Sequence, residues 1–313
     1  MPSRAQVPNE TDRRGSFVRQ ESRFRQWVTA DGSSDYPAER GRYHLYVSLA
    51  CPWAHRTMIF RKLKKLEDVI SLSIVDPVRD ERGWAFHEGF EDPVNGFRFL
   101  ADAYRATEPD FDLRVTVPVL WDKQRGRIVN NESSEIIRML NSAFDGVGAD
   151  ESVELYPEPL REEIDRVNSW VYDNVNNGVY RCGFATSQEA YDEAFDALFK
   201  ALDKLDGRLG RQRYLVGSQL TEADWRLFTT LVRFDAVYVT HFKCNLKRIV
   251  DYENLWPYLR ELYQQPGIAE TVNFDHIKRH YFITHTRLNP CGIVPKGPAL
   301  DFTAPHGRER LPS

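Results

Sequence analysis

The apolar run Tyr43-His44-Leu45-Tyr46-Val47-Ser48-Leu49 leads directly into Cys51-Pro52-Trp53-Ala54-His55-Arg56. A second strand-like run, Val69–Val75, follows and is stopped by Asp76-Pro77. Between them Ala54, Met58, Ile59, Leu63 and Leu66 form a broad apolar face at helical spacing, with Arg61, Lys62, Lys64 and Lys65 expected on its solvated side. Strand, helix, strand at this spacing is a βαβ unit, which implies parallel strands. Pro52 suits the first helical turn, because its missing N–H would have had no intrahelical partner. The Cys51 sulfur then sits at a helix N-terminus, where unpaired backbone N–H groups and the positive end of the dipole favour a thiolate. The position where a dithiol enzyme would carry its second cysteine is Ala54, so the pattern describes a one-cysteine redox centre. The competing reading is a small buried hydrophobe capping a helix.

Residues 77–113 are polar, aromatic and turn-rich, long for a connection and therefore suspect as a functional insertion. Val115–Trp121 and Arg127–Asn130 are close enough in sequence to form an antiparallel hairpin. Pro118, inside strand-like sequence, must sit at an edge or in an unusual peptide bond. Asn131-Glu132-Ser133-Ser134 then caps a helix whose Ile136, Ile137 and Leu140 face the sheet. This order is that of a thioredoxin-like α/β domain, followed by a turn-rich linker at Gly146–Pro159. Beyond it the pattern is helical, through Leu160, Ile164, Val167 and Val171 and again from Tyr191 to Leu209. Thr221 and Asp224, three apart before an apolar run, signal a helix start. The expected organisation is an N-terminal extension at 1–40, a thioredoxin-like domain at 41–145, an all-helical domain at 158–288 and an extended tail at 289–313.

A chain of 313 residues is long enough for two domains. The net charge of -4 gives no reason to expect nucleic acid or an anionic membrane as partner. No apolar run is long enough to span a bilayer, and none follows Arg13-Arg14 to make an export signal, so the cytosol is the expected location. The four cysteines, Cys51, Cys182, Cys244 and Cys291, lie far apart without metal-ligand spacing. His276 and His280 would share a helix face but have no third ligand nearby, so no metal is expected. There is no Gly-rich dinucleotide fingerprint either.

A thioredoxin-like domain followed by helices with that capping signal resembles a glutathione transferase. Cys51-Pro52-Trp53-Ala54-His55-Arg56, Trp84, Arg114-Val115-Thr116-Val117-Pro118-Val119-Leu120-Trp121-Asp122 and Asn131-Glu132-Ser133 narrow this to the glutathionyl-hydroquinone reductases, the Xi class. The resemblance runs from about residue 20 to 290, with its separated motifs in the correct order. It implies that Pro118 is a cis-proline, that Val115, Thr116 and Val117 bind glutathione, and that Val117 pairs its backbone with the cysteinyl part. It implies that Glu132 and Ser133 hold the γ-glutamyl carboxylate and amine, in keeping with helix N-termini as anion sites. Trp84 and Arg114 would contact glutathione as well. Tyr180 matches a catalytic tyrosine, and Tyr238 and Tyr281 match tyrosines that bind the hydroquinone or lower the thiol pKa.

The implied reaction is glutathione-dependent reduction of glutathionyl-hydroquinones to hydroquinones. It runs through a Cys51–glutathione mixed disulfide, resolved by a second glutathione to give oxidised glutathione. Glutathione is then a co-substrate and no bound cofactor is needed. The family forms homodimers. Two rivals fit Cys51 or the fold. One is an omega-like thioltransferase or dehydroascorbate reductase, which leaves Trp84, the 77–113 insertion and the tyrosines unexplained. The other is a non-catalytic glutathione-fold binding protein, whose signature would be a lost nucleophile.

Overall fold

The structure is a computed structural model that describes residues 10–311. Residues 1–9 of the N-terminal extension and 312–313 of the tail lie outside the described residues. The chain divides into two compact units.

The first unit comprises Gln20–Glu154 and Asp275–Thr286. After two short parallel strands, β1 (Val28–Thr29) and β2 (Tyr36–Pro37), comes β3 (Tyr43–Val47), all five residues of which are buried. Such a continuous apolar stretch belongs in the middle of a sheet covered on both faces. Helix α1 (Pro52–Leu63) leads to β4 (Ser71–Ile74), which pairs parallel with β3 as the sequence predicts. Helix α2 (Leu100–Thr107) precedes the antiparallel hairpin β5 (Val119–Asp122) and β6 (Arg127–Asn130), and α3 (Ser133–Ser142) closes the motif. The sheet order is β4-β3-β5-β6.

Three details differ from the sequence reading. The 77–113 stretch contains α2, whose Leu100, Ala101, Ala103 and Tyr104 are buried; the helix is too short for its periodicity to stand out among the surrounding aromatic residues. Of the basic cluster on α1, Lys64 is buried, its Nζ donating to Asp145 and to the Val153 carbonyl at 3.0 Å each. Arg61 is half-buried and donates to the Ile70 and Glu67 carbonyls. Part of the N-terminal arm extends the sheet: Gln26 N–H donates to the Val129 carbonyl, Asn131 N–H donates to the Phe24 carbonyl, and Arg25 bridges antiparallel to Asn130 beside β6.

The second unit comprises residues 10–19, Leu155–Phe274 and 287–311. Its helices are α4 (Arg161–Val171), α5 (Gly178–Phe184), α6 (Gln188–Leu209), α7 (Glu222–Arg233), the single turn α8 (Val239–His241) and α9 (Leu255–Tyr263). Helix α7 is buried on every side and starts in the capping box that the sequence signals. Asp224 Oδ2 accepts from Thr221 N–H at 2.9 Å, while Oδ1 accepts from Leu215 N–H at 2.8 Å and the Tyr258 hydroxyl at 2.7 Å. The described residues of the tail form no helix or strand but are anchored. Arg308 is buried, donates to Glu261 at 2.9 Å and reaches the Leu209 and Arg213 carbonyls. Phe302 packs among the rings of Trp256, Tyr263 and Phe274.

The last helix, α10 (Phe274–Arg279), and the π turn His280–Thr284 continue the helical pattern, but Asp275–Thr286 packs with the first unit. His280 Nδ1 lies 2.8 Å from the Pro77 carbonyl, and Arg79 N–H donates to the Thr284 hydroxyl at 3.1 Å. Among the described residues no helix is long and apolar enough to cross a membrane.

Asp224 joins a helix cap to two neighbouring segments, those of Leu215 and Tyr258. Asp224→Ala should therefore lose both the cap and the partner of buried donors, about 2–4 kcal/mol in total. Denaturant unfolding should show a clearly lowered midpoint, and a midpoint within error of the unsubstituted protein would remove Asp224 as an anchor.

Candidate active site

β5 runs antiparallel to β3, and β6 antiparallel to β5, so β6 is parallel to β3. The helices that follow β3 and β6 therefore begin at the same edge of the sheet, which is also where β5 enters. That edge gathers Cys51, the Val117–Pro118 peptide and Glu132-Ser133. Helices α1 and α3 pack against each other, and Arg56, from the second turn of α1, places its guanidinium 3.4 Å from the Ser133 hydroxyl.

Cys51 is the N-cap of α1, with extended backbone (φ -77°, ψ 123°) and Pro52 in the first turn. His55 N–H donates to the Cys51 carbonyl at 3.0 Å, closing that turn. The sulfur makes no capping hydrogen bond. It is partly exposed and lies 3.6 Å from the Val117 carbonyl oxygen. The Val117–Pro118 peptide is cis. Cys182 and Cys244 are buried in the second unit, and Cys291 is exposed in the tail.

The approach to Pro118 is held by a polar cluster that sequence reasoning missed. The buried Tyr104 hydroxyl donates to the Thr116 carbonyl at 2.8 Å and accepts from Thr116 N–H at 3.1 Å. Asn131 Nδ2 donates to the same hydroxyl at 3.1 Å and to Thr116 Oγ1 at 3.3 Å. Tyr104 thus satisfies both backbone groups of Thr116, which are lost to the sheet ladder just before β5 begins. Val115 is buried and Arg114 half-buried beside it. Asn131, in the capping stretch before α3, and Thr116, in the stretch leading to Pro118, had a signal in the sequence, whereas Tyr104 had none.

Glu132 is the N-cap of α3; its Oε1 accepts from Ser134 N–H at 3.0 Å and from the Ser134 hydroxyl at 2.9 Å. Its Oε2 accepts from the Ser22 hydroxyl at 3.0 Å. Burial opposes ionisation of this carboxyl, but the hydrogen bonds from Ser134 and Ser22, with the positive charge of Arg56, bring it below the ordinary glutamate range.

Trp84 lies in the insertion and is buried, its indole stacked on the His280 ring at 5.0 Å with the Arg79 guanidinium 5.2 Å from its centre. Its Nε1 has no hydrogen-bond partner. Tyr281, next to His280, is buried in the same unit. Tyr180 and Tyr238 belong to the second unit, both buried, with ring centroids 6.2 Å apart beside Phe242. The Arg19 guanidinium sits 4.8 Å from the Tyr180 ring and donates to Asn177 at 3.0 Å. The structure therefore brings Cys51, Val117, Pro118, Glu132 and Ser133 to one sheet edge, and separately pairs Tyr180 with Tyr238.

A thioredoxin-like motif with a cysteine at the first helix, a cis-proline and a capped third helix, joined to a helical unit, defines the glutathione transferase class. The glutathione S-transferase N-terminal domain family matches residues 50–143, and the C-terminal domain family matches 188–261. Glutathionyl-hydroquinone reductase YqjG of Escherichia coli K12 is 57% identical over 305 residues, 94% of this chain and 93% of that one. The reductase PcpF of Sphingobium chlorophenolicum is 54% identical over 288 residues, 91% and 90% of the two chains. The glutathione-bound structure of YqjG superposes with a TM-score of 0.90, covering 92% of this chain and 96% of that one at 57% identity. A Xi-class enzyme from Natrialba magadii gives 0.90 at 56% identity, covering 92% and 89%. The chain belongs to the Xi-class glutathione transferases, the glutathionyl-hydroquinone reductase family.

The depressed Glu132 pKa has a defined consequence for folding. The ionised side chain stabilises the fold above the unfolded glutamate value of about 4.3, and that contribution is lost as pH falls through the folded value. The stability difference between the unsubstituted protein and Glu132→Gln should be constant near neutrality and shrink in acid. A difference that grows on acidification would contradict the assignment.

Proposed function

We propose that the chain reduces glutathionyl-hydroquinones to hydroquinones at the expense of glutathione. The observation that carries this is the Cys51 sulfur at the N-terminus of α1, 3.6 Å from the Val117 carbonyl beside the cis peptide. A glutathionyl group whose cysteinyl backbone pairs with Val117 would hold its sulfur next to that of Cys51. The relatives named glutathionyl-hydroquinone reductases, and the relative solved with glutathione bound, support the same substrate.

In the first step the Cys51 thiolate attacks the thioether sulfur of the conjugate. A disulfide forms between Cys51 and glutathione while the carbon–sulfur bond to the ring breaks. Its electron pair stays on the aromatic carbon, which takes a proton from Tyr180, and the hydroquinone leaves. The thiolate of a second glutathione then attacks the mixed disulfide, releasing oxidised glutathione and restoring the Cys51 thiolate. Ala54 offers no internal thiol to resolve the intermediate, which is why the second glutathione is required. Glu132 and Ser133 hold the γ-glutamyl end, Trp84, Arg114, Val115 and Thr116 complete the glutathione side, and Tyr238 and Tyr281 bind the hydroquinone oxygen. No resident cofactor enters the cycle. A homodimer in the cytosol completes this reading.

Cys51→Ala should abolish turnover of glutathionyl-hydroquinone, whereas Cys291→Ala should leave it unchanged. Tyr180→Phe keeps the ring and removes the hydroxyl, so hydroquinone release should slow by about 10²-fold. Reduction of a glutathione–mercaptoethanol disulfide, which needs no carbon protonation, should stay near its original rate. Equal loss in the two assays would reassign Tyr180 to packing, and retained reductase activity in Cys51→Ala would exclude the mechanism.

A further inference from the structure

We infer that Ser22 is a positioning residue for glutathione, its hydroxyl fixing the Glu132 carboxylate in the orientation that receives the γ-glutamyl ammonium. This rests on the assignment of Glu132 to the γ-glutamyl end. Capping of α3 already engages one oxygen of Glu132, Oε1, which accepts from both the N–H and the hydroxyl of Ser134. That leaves the torsion of the carboxylate plane, which is intrinsically broad at an sp³–sp² bond, held through one oxygen. The Ser22 hydroxyl donates to the other, Oε2, at 3.0 Å and is only 3.3 Å from its alternative acceptor, the Asn131 carbonyl. With both oxygens held the plane is fixed; Oε1 has both its lone pairs committed to Ser134, and Oε2 keeps one for an ammonium group.

The delivery of Ser22 to this point is built into the sheet. Phe24 exchanges hydrogen bonds with Asn131, its N–H donating to Oδ1 at 3.0 Å and its carbonyl accepting from Asn131 N–H. Asn131 Nδ2 is in turn committed to Tyr104 and Thr116. Arg25 pairs with Glu135, one residue beyond Ser134 in the first turn of α3. The arm is thereby registered on both sides of Ser22's target, so a local hydroxyl is placed without ordering a long side chain. The same Asn131 that registers the arm also holds the Thr116 side chain and the Tyr104 hydroxyl, which in turn fixes the Thr116 backbone. One cluster thus sets the carboxylate for the γ-glutamyl end and the strand for the cysteinyl end.

The test is calorimetric titration of the full chain with reduced glutathione, together with KM and kcat, for Ser22→Ala, Ser22→Thr, Glu132→Ala and the double variant. Ser22→Ala should raise the Kd and KM for glutathione roughly three- to tenfold and leave kcat at saturating glutathione unchanged. Ser22→Thr, which keeps the hydroxyl, should restore affinity. On the Glu132→Ala background the Ser22 substitution should add no further loss. Weakened binding in Glu132→Ala with unchanged binding in Ser22→Ala would overturn the role of Ser22 alone. So would a Ser22→Ala loss of equal size with and without Glu132. Unchanged glutathione affinity in Glu132→Ala would overturn the Glu132 assignment itself and the inference with it.

Discussion

The antiparallel pairing of β5 with β3, in the register Leu45 to Leu120 and Tyr46 to Val119, joins the two halves of the α/β unit. Because β6 then returns parallel to β3, the N-termini of α1 and α3 face the same way from the same edge of the sheet. Two helix N-termini therefore open where the cis Val117–Pro118 peptide enters β5. One N-terminus carries a sulfur and the other a carboxylate with a serine. A peptide with a central thiol and an amino-acid end has complementary chemistry at each. None of this requires the cysteine and the glutamate to be near in sequence; the strand order alone brings them together.

Buried polar groups give that edge its definition. Tyr104, Thr116 and Asn131 satisfy one another at distances of 2.8–3.3 Å, and an interior network of this kind specifies one arrangement because any alternative leaves a group unpaired. The strap formed by residues 22–26 shares that network through Asn131, so the first unit is completed by chain that precedes its central strand. On the far side of the sheet edge, Arg42 and Asp122 form a buried two-bonded ion pair between the start of β3 and the end of β5. The pairing on which the site depends is thereby tied at both ends.

The parts of this arrangement that were legible in the sequence are those with local signatures. Cys51-Pro52 after an apolar run marks a strand-to-helix turn, and Asn131-Glu132-Ser133-Ser134 marks a helix start. Thr221 with Asp224 marks another. Each is a backbone requirement met by neighbours in the chain. The parts not legible are long-range. Nothing local to Ser22 says that it meets Glu132, and nothing in Tyr104 says that its hydroxyl replaces a missing sheet partner for Thr116. Lys64 looked like a solvated lysine on a basic face; its burial depends on Asp145 and on a carbonyl at Val153. Arg308 and Phe302, in a tail whose described residues form no helix or strand, are anchored by residues far earlier in the chain. Periodicity finds faces, but it does not find the partner of a face.

The central claim is that one sulfur takes the glutathionyl group before any second thiol takes part. It is tested most directly by mixing the protein with a stoichiometric amount of glutathionyl-hydroquinone in the absence of free glutathione. Intact-protein and peptide mass spectrometry would then be run alongside quantification of released hydroquinone. The account predicts one hydroquinone released per chain and one glutathionyl adduct, located on Cys51 and removed by added glutathione. An unmodified protein that still releases hydroquinone, or an adduct on Cys182, Cys244 or Cys291 instead, would contradict it.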